Sequence, residues 1–244
     1  MRKQRGISLV EIMVAITLGL LLMLGLGTVF VSVSQTSKLR QNMSGVQDNE
    51  RTAIAFLNNG IRGAGYFPNP TPALIFSTSA AEFPASGSFL PGQSIFGTGI
   101  GTGGADTLSL RFIASAGGIT GVQGCSANLT AGDLYTDVFS VAGGYLTCTE
   151  TDNTAGGTAT VNLVPNMTGM NIVYGIDSNC FGYVTEYLPG NSVPASVWAS
   201  SCAQGGQLKT VNVTLQFNNP LAGQPGQLLP TVTINQTIPY MIGL

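Results

Sequence analysis

The stretch "RGISLVEIMVAITLGLLLMLGLGTVFVSV", Arg5 to Val33, decides the fold of the N-terminal part of this 244-residue chain. No charged residue occurs from Ile12 to Val33. At about 1.5 Å per residue, a helix of that length rises roughly 33 Å, which is enough to cross a bilayer. A single carboxylate, Glu11, lies near the start, where burial in a membrane would cost about 3 kcal/mol. The stretch therefore predicts a membrane-length helix, and Glu11 needs a reason.

Charged residues are scarce throughout the chain. Asp, Glu, Lys and Arg make up 8% of the residues, against about a quarter in typical globular proteins. Neutral polar groups must therefore cover the surface, which favours an extracytoplasmic, β-rich module over a cytosolic enzyme. Arg2, Lys3 and Arg5 precede the apolar run and are three of nine basic residues, so their removal would leave six against eleven acidic residues. The part of the chain that follows the apolar run therefore has no basic patch, and we expect it not to bind nucleic acid directly.

The sequence contains no histidine and four cysteines. The lack of histidine excludes His-ligated zinc sites, Ser-His-Asp and Cys-His catalysis, and imidazole-based pH switches. The cysteines lack CxxC spacing, and the positive-inside rule places them outside the cytoplasm, so they indicate two disulfides of about 3 kcal/mol each. Of three possible pairings we prefer Cys125 with Cys148 and Cys180 with Cys202, because each closes a modest loop. Four reduced core cysteines are the alternative.

Three explanations compete for residues 1–33. A conventional secretory signal has an apolar core of roughly 7 to 15 residues and a small-residue cleavage site, whereas this core is longer and no such site follows it. An ordinary signal anchor fits the length and the basic flank but gives no account of Glu11. The third explanation accounts for both features. The basic residues that end in Gly6, the apolar Ile7 and the glutamate four residues later resemble the class III leader of the type IV pilin superfamily.

This resemblance implies a processing site and an assembly contact. A membrane prepilin peptidase would cut after Gly6 on the cytoplasmic side, and the new amine of Ile7 would be N-methylated, although phenylalanine is the commonest first mature residue in the family. The Ile7 amine is a cation at neutral pH and can pair with Glu11 of the same or a neighbouring subunit once water is excluded. We therefore expect Glu11 to form an assembly salt bridge that sets the axial register between helices. A tolerated interfacial glutamate is the alternative.

After Val33 the chain becomes polar without a proline until Pro68. Apolar residues recur at spacings of three, four and seven, which predicts one face of an amphipathic helix: Leu39, Met43, Val46, Ala53, Leu57 and Ile61. The end of this helix is predicted at a group of glycines and prolines: Gly60, Gly63, Gly65, Pro68 and Pro70.

Alternating apolar and polar residues predict a mainly antiparallel head, with more than one sheet. The predicted strands are Thr107–Ile113, Asp137–Val141, Tyr145–Thr149, Thr158–Val164, Met170–Tyr174, Tyr183–Tyr187, Leu208–Phe217 and Thr231–Ile238. Gly143 and Gly144 predict a hairpin turn. Trp198, with the nearby Val193 and Val197, predicts a short helix or core plug, with no role in binding.

Two patterns in the head imitate functional motifs. Gly99, Gly101 and Gly104 satisfy GxGxxG, but a strand-like segment follows where a dinucleotide fold needs a helix, so we expect a flexible loop. Asp177 and Asn179 could offer oxygen ligands to calcium, yet the full spacing of a calcium loop is missing and such residues are common in turns. We expect no metal, no cofactor and no catalytic residues.

Two further stretches narrow the resemblance. "QDNERTAIAFLNNGIRGAGYF", Gln47 to Phe67, and "VPNMTGMNIVYGIDSN", Val164 to Asn179, together with the leader, resemble the PilW family of minor pilins. This implies an α+β, pilin-like fold, in which a long N-terminal helix, first transmembrane and then amphipathic, packs on a mainly antiparallel β-sheet head. The expected divisions are a leader at 1–6, an assembly helix at 7–33, an amphipathic helix at 34–65 and a periplasmic head at 66–244.

The resemblance also implies a function. A minor pilin of a type IV pilus would prime assembly within a tip complex and support twitching, adhesion or DNA uptake. The implied partners are other minor pilins, the major pilin, the prepilin peptidase, the inner-membrane assembly platform and a tip adhesin. The protein would reside in the bacterial inner membrane as a single-pass protein with a periplasmic head, and on the extracellular pilus after assembly. A type II secretion pseudopilin and a membrane-anchored binding module are the alternatives.

Overall fold

The computed structural model describes residues 9–68, 76–115, 124–126, 129–198, 202, 206–223 and 229–240. These described residues form one long helix, nine strands and two short helical segments. In chain order they are α1 (Leu9–Gly63), β1 (Ile95–Thr98), β2 (Thr107–Ile113), β3 (Leu134–Ala142), β4 (Tyr145–Asp152), β5 (Thr158–Pro165), β6 (Met167–Asp177), β7 (Glu186–Pro189), a 3₁₀ turn (Gly190–Ser192), α2 (Ala195–Trp198), β8 (Gln207–Asn218) and β9 (Thr231–Pro239). The expected α+β class, a long N-terminal helix with antiparallel sheets, is confirmed.

The chain divides into two compact units, Met1–Gly45 and Val46–Leu244. In the first unit, the described residues belong to α1. The second unit holds the remainder of α1 and two antiparallel sheets, with strand orders β1-β2-β3-β4-β5 and β7-β6-β8-β9. The first sheet is a meander in which chain neighbours pair, and its β3–β4 hairpin turns at Gly143 and Gly144. Both glycines have positive φ, 58° and 82°, as the predicted two-residue turn requires.

All eight predicted strands have a counterpart, and six of them are longer than predicted. The strand predicted at Tyr183–Tyr187 is displaced towards the C-terminus, because the structure places β7 at Glu186–Pro189. The Asp177 carboxylate accepts hydrogen bonds from the backbone N–H groups of Phe181 (2.9 Å) and Gly182 (2.6 Å). These bonds fold the segment between β6 and β7 into a turn. The sequence analysis did not predict β1, a four-residue strand that pairs with β2.

The amphipathic part of α1 that belongs to the second unit lies in the core of the head. Its buried apolar residues are Val46, Ala53, Leu57 and Ile61, which confirms this part of the predicted stripe. Gly60 does not end the helix, contrary to prediction. It is a packing position, because a Cβ there would lie 2.8 Å from Leu110 Cδ1 and 3.2 Å from a ring carbon of Phe139. The helix ends at Gly63, and Gly65 has a left-handed φ of 81°.

A buried arginine holds the segment between α1 and β1 against the first sheet. Arg111 is 0% exposed, and its guanidinium donates hydrogen bonds to backbone carbonyls of Gln93 (2.9 Å from Nε), Pro84 (2.7 Å) and Leu90 (3.3 Å). It also lies 4.3 Å from the centre of the Phe89 ring. Burial lowers the pKa of Arg111 to about 10. The guanidinium charge is therefore stabilised by carbonyl oxygens and the face of an aromatic ring, and these contacts hold the backbone of this segment in place.

The face of the first sheet that points away from the core carries rows of hydroxyl groups. Strand alternation and register place four cross-strand hydroxyl pairs on this face. The oxygens are 2.5 to 3.3 Å apart in the pairs Thr98 with Thr107, Ser140 with Thr147, Thr149 with Thr160 and Thr151 with Thr158.

Candidate functional site

The first stretch of α1 exposes apolar side chains on every side. From Leu9 to Val33 no residue is buried, and the large apolar side chains are 48% to 76% exposed. The helix meets the length and composition required to cross a membrane, with a mean hydropathy of 2.5 in its most apolar window. A helix that is apolar all round needs an apolar surrounding, either lipid or other helices. This segment is therefore the candidate assembly site.

Glu11 is the lone charged residue between Leu9 and Ser37. It lies in the first turn of the described helix, exposed and flanked by exposed apolar side chains. Gly6 and Ile7, the predicted cleavage and methylation positions, lie outside the described residues, so the predicted pairing of the Ile7 amine with Glu11 stays a prediction.

Both disulfides join cysteines that are neighbours in the sequence, the pairing preferred from loop length. Cys125 and Cys148 have Cα atoms 6.0 Å apart, and this bridge ties residues 124–126 to β4. Cys180 and Cys202 have Cα atoms 5.7 Å apart, and this bridge joins the turn that follows β6 to Cys202, which lies between α2 and β8. The covalent links thus fix two connecting segments of the head at the sheets.

Two buried carboxyl groups meet beside the first disulfide, a pair that the sequence analysis did not find. Asp137 on β3 and Glu150 on β4 are directly opposite each other and are 2% and 5% exposed. Glu150 accepts hydrogen bonds from the backbone N–H of Ser126 (3.2 Å) and from its hydroxyl. Burial, and then the charge of Glu150, raise the pKa of Asp137 to about 8. Asp137 is therefore protonated at neutral pH and can share its proton with Glu150.

The surroundings of this pair fit a structural role. One oxygen of Asp137 is buried with no hydrogen-bond partner among the described residues. The Asp137 carboxyl and the sulfurs of Cys125 and Cys148 lie within 4.8 Å of one another, but these sulfurs are bonded to each other and are not free thiolate ligands. An acidic residue at an inward-facing position in each of two successive strands was the sequence signal for this pair.

The predicted loop at Gly99, Gly101 and Gly104 packs on the second sheet. The Asp106 carboxylate accepts hydrogen bonds from the backbone N–H groups of Gly101 (3.1 Å) and Ile172 (2.7 Å), which ties the loop to β6. A Cβ at Gly169 of β6 would lie 2.7 Å from the Cα of Gly104. Glycines are therefore required here by the close approach of two backbones, rather than by a phosphate group.

The oxygens considered for calcium serve the turn after β6. Both carboxylate oxygens of Asp177 accept backbone N–H groups, as described above. Burial opposes ionisation of Asp177, but the amides of Phe181 and Gly182 and the charge of Lys209 outweigh it and hold the pKa of this carboxyl below its usual range. The predicted short helix near Trp198 is confirmed as α2, and Trp198 itself is 4% exposed.

Comparison with known families gives one match. Residues 1–27 match the family described as "Prokaryotic N-terminal methylation motif". This motif supports a type IV pilin-like protein, either a pilin or a pseudopilin, that is processed by prepilin peptidase and assembles with pilins. Together with the apolar helix it is consistent with membrane anchoring. The match does not extend to the stretches that resemble the PilW family. A search of curated proteins found no match to the chain.

Proposed function

We propose that this chain is a PilW-like minor pilin, a structural protein without enzymatic activity, that is cleaved after Gly6, methylated at Ile7 and incorporated into a type IV pilus. One observation carries the proposal: a methylation motif leads into a helical stretch, Leu9–Val33, whose apolar side chains are uncovered on every side and whose lone charged residue is Glu11. A monomeric anchor needs the apolar helix but has no use for the carboxylate. An assembling subunit needs both.

The assembly step follows from elementary energetics. When the subunit leaves the bilayer, the apolar side chains of Leu9–Val33 must be covered by neighbouring helices, because water exposure of each would cost about 1.5 to 3 kcal/mol. An unpaired carboxylate inside such a bundle is strongly unfavourable, whereas one paired with an amine is tolerated. Glu11 therefore selects the axial position at which it meets an Ile7 amine, its own or that of a neighbour.

The tip position rests on the size of the head and on the family resemblance. The second unit, Val46–Leu244, would have to be accommodated at every lattice site of a filament shaft, but only once at a tip. By resemblance, the chain would prime polymerisation with other minor pilins at the inner-membrane assembly platform and remain distal to the major pilin. There it could carry a tip adhesin and support twitching, adhesion or DNA uptake.

Mass spectrometry of the protein from native membranes and from sheared surface filaments tests the proposal. We expect a chain that begins at methylated Ile7, present in filaments, with all four cysteines oxidised. An intact Met1 terminus confined to membranes would contradict the processing and the assembly step together, and would favour a membrane-anchored binding module.

Glu11→Gln tests the role of the carboxylate itself. We expect normal membrane insertion but loss of incorporation into filaments, because the amide cannot form the salt bridge. Thr17→Val is the matched control, since it also changes one polar side chain in the same apolar stretch. Equal incorporation of the Glu11→Gln variant and the parent chain would refute the register role.

A type II secretion pseudopilin is the alternative to which the same motif applies. Deletion of the gene distinguishes the two, because a minor pilin is needed for surface piliation and a pseudopilin for protein secretion. We expect the deletion strain to lose piliation and to keep secretion. Expression of the parent chain should restore piliation.

A further inference from the structure

A cavity of about 410 Å³ opens on the head between β1, the 3₁₀ turn and α2. Its volume lies within the range of about 300 to 1,000 Å³ that is typical of small-molecule sites. Two aromatic rings, Phe96 and Trp198, contribute to its wall, with ring centres 5.5 Å apart. Neutral polar side chains, Ser88 and Asn191 among them, stand at the same cavity.

The chemistry of the lining narrows the class of ligand. None of the described residues that line the cavity is charged. A charged ligand would therefore lose hydration without gaining a partner of opposite charge. Aromatic rings offer flat apolar faces, and amide and hydroxyl groups offer hydrogen bonds. This combination matches a molecule with both an apolar ring face and neutral hydroxyl groups, which is the chemistry of a sugar ring.

Asn191 has one half of its amide engaged and the other half free. Its backbone N–H donates to the carbonyl of Gly99 (3.0 Å), and its Oδ1 accepts the N–H of Gly99 (3.0 Å). These two bonds fix the orientation of the side-chain amide. Within the described ranges its Nδ2 group has no hydrogen-bond partner, and the residue is exposed. Asn191 is thus a lining residue whose side-chain amide is held in place and keeps a free donor.

The wall of the cavity is preformed. A Cβ at Gly190 would lie 2.5 Å from the carbonyl oxygen of Gly97, so the 3₁₀ turn and β1 are in direct backbone contact. Trp198 is held from behind by Tyr174, with ring centres 4.7 Å apart in an edge-on arrangement. Binding to a wall that is already ordered costs little conformational entropy.

We propose that this cavity binds a neutral saccharide, with one sugar ring packed on the partly exposed ring of Phe96, beside the nearly buried Trp198, and its hydroxyl groups bonded to Asn191 Nδ2 and Ser88 Oγ. The site does not depend on the assembly role of the apolar helix. It gives the head a recognition function of its own.

Trp198 is the one tryptophan of the chain, so its fluorescence reports directly on this cavity. The full chain in phospholipid nanodiscs, free of glycoside detergents, is titrated with lactose, maltose and N,N′-diacetylchitobiose, with saturation-transfer NMR on the sugars as a second readout. We expect a saturable change with at least one of them, at a dissociation constant on the order of 1 mM.

Two pocket variants and a control decide whether the signal arises at this site. Asn191→Asp keeps the oxygen that bonds to Gly99 but removes the Nδ2 donor, and Ser88→Ala changes an exposed side chain without risk to folding. We expect binding to weaken at least tenfold in the first and severalfold in the second. Tyr183→Leu removes an aromatic ring that is 61% exposed and outside the cavity, and it should bind as the parent does.

Three results would overturn the proposal. One is the absence of any response to the three sugars up to about 20 mM, a concentration that would largely fill a millimolar site. Another is unchanged binding in both pocket variants. The third is equal weakening in Tyr183→Leu, which would locate the sugar elsewhere on the head.

Discussion

We expect replacement of the buried Asp137 by asparagine to stabilise the head at neutral pH. Burial and the neighbouring Glu150 raise the pKa of Asp137 from its usual 3.8 to about 8. The folded state therefore keeps a proton that the unfolded state loses, and the free energy of unfolding falls as the pH rises from about 4 to about 8. An amide carries no charge and can donate to Glu150 in place of the shared proton, so the variant escapes this loss.

The size of the effect follows from the difference of one bound proton. Each pH unit between the two pKa values changes the free energy of unfolding by about 1.4 kcal/mol. The parent chain and Asp137→Asn should thus be similar in stability near pH 4. The advantage of the variant should grow to roughly 4 kcal/mol at pH 7 and level off above about pH 8.

Urea unfolding of the full, disulfide-intact chain in detergent measures this difference. Trp198 is 4% exposed in the folded head, so its fluorescence follows the loss of the core. Asp133→Asn is the matched control, because Asp133 directly precedes β3 but is only partly buried. A difference between Asp137→Asn and the parent that stays constant from pH 4 to pH 8, or a variant that is less stable at pH 7, would refute the linkage.

Three further changes test other parts of the head. In the urea titration, Gly60→Ala should destabilise the head by about 1 to 3 kcal/mol, because the added methyl group overpacks the core. The control is Gly45→Ala in the same helix, where no atom lies within 4 Å of the added group. This variant should stabilise the chain by up to about 1 kcal/mol. Arg111→Met should cost about 2 to 4 kcal/mol, since it leaves buried carbonyl groups without a donor, and an unchanged urea midpoint would refute that role. Cys180→Ser with Cys202→Ser should lower the free energy of unfolding by about 3 kcal/mol, and calorimetry of parent and variant under oxidising conditions measures the loss.

Long periodic features of this chain were predictable from the sequence. The apolar run is continuous over many turns, the stripe from Val46 to Ile61 has helical spacing, and strands such as β8 alternate over most of their length. Cysteine spacing pointed to the pairing that the structure contains. In each case the signal is repeated along the chain, so that local propensity and burial favour the same structure.

Features that depend on a single tertiary contact were not predictable. The strand predicted to begin at Tyr183 begins at Glu186 instead, because one carboxylate, Asp177, binds two backbone amides in the segment before it. Gly60 is of a residue type that is common at helix ends, but here its small size allows Leu110 of β2 and Phe139 of β3 to pack closely against the helix. The pair of Asp137 and Glu150 follows from the register that the turn at Gly143 and Gly144 sets, but it was missed because the predicted strand ended at Thr149, one residue before Glu150.

The cavity beside Trp198 was missed for a similar reason. Its residues come from two distant stretches of the chain: residues 88–97, which end in β1, and residues 190–198, which form the 3₁₀ turn and α2. No spacing along the sequence connects them, and the tryptophan has the local pattern of a core residue. Both descriptions hold, because Trp198 is nearly buried and also contributes to the cavity wall.

The rows of hydroxyl pairs on the first sheet have a consequence for how the stability of this face responds to salt. Thr149 with Thr160, and Thr151 with Thr158, join neighbouring strands through neutral groups where many surface sheets use oppositely charged side chains. Dissolved ions weaken charged contacts on a surface but leave neutral ones largely unaffected. This face should therefore hold together equally well in fresh water and in brine.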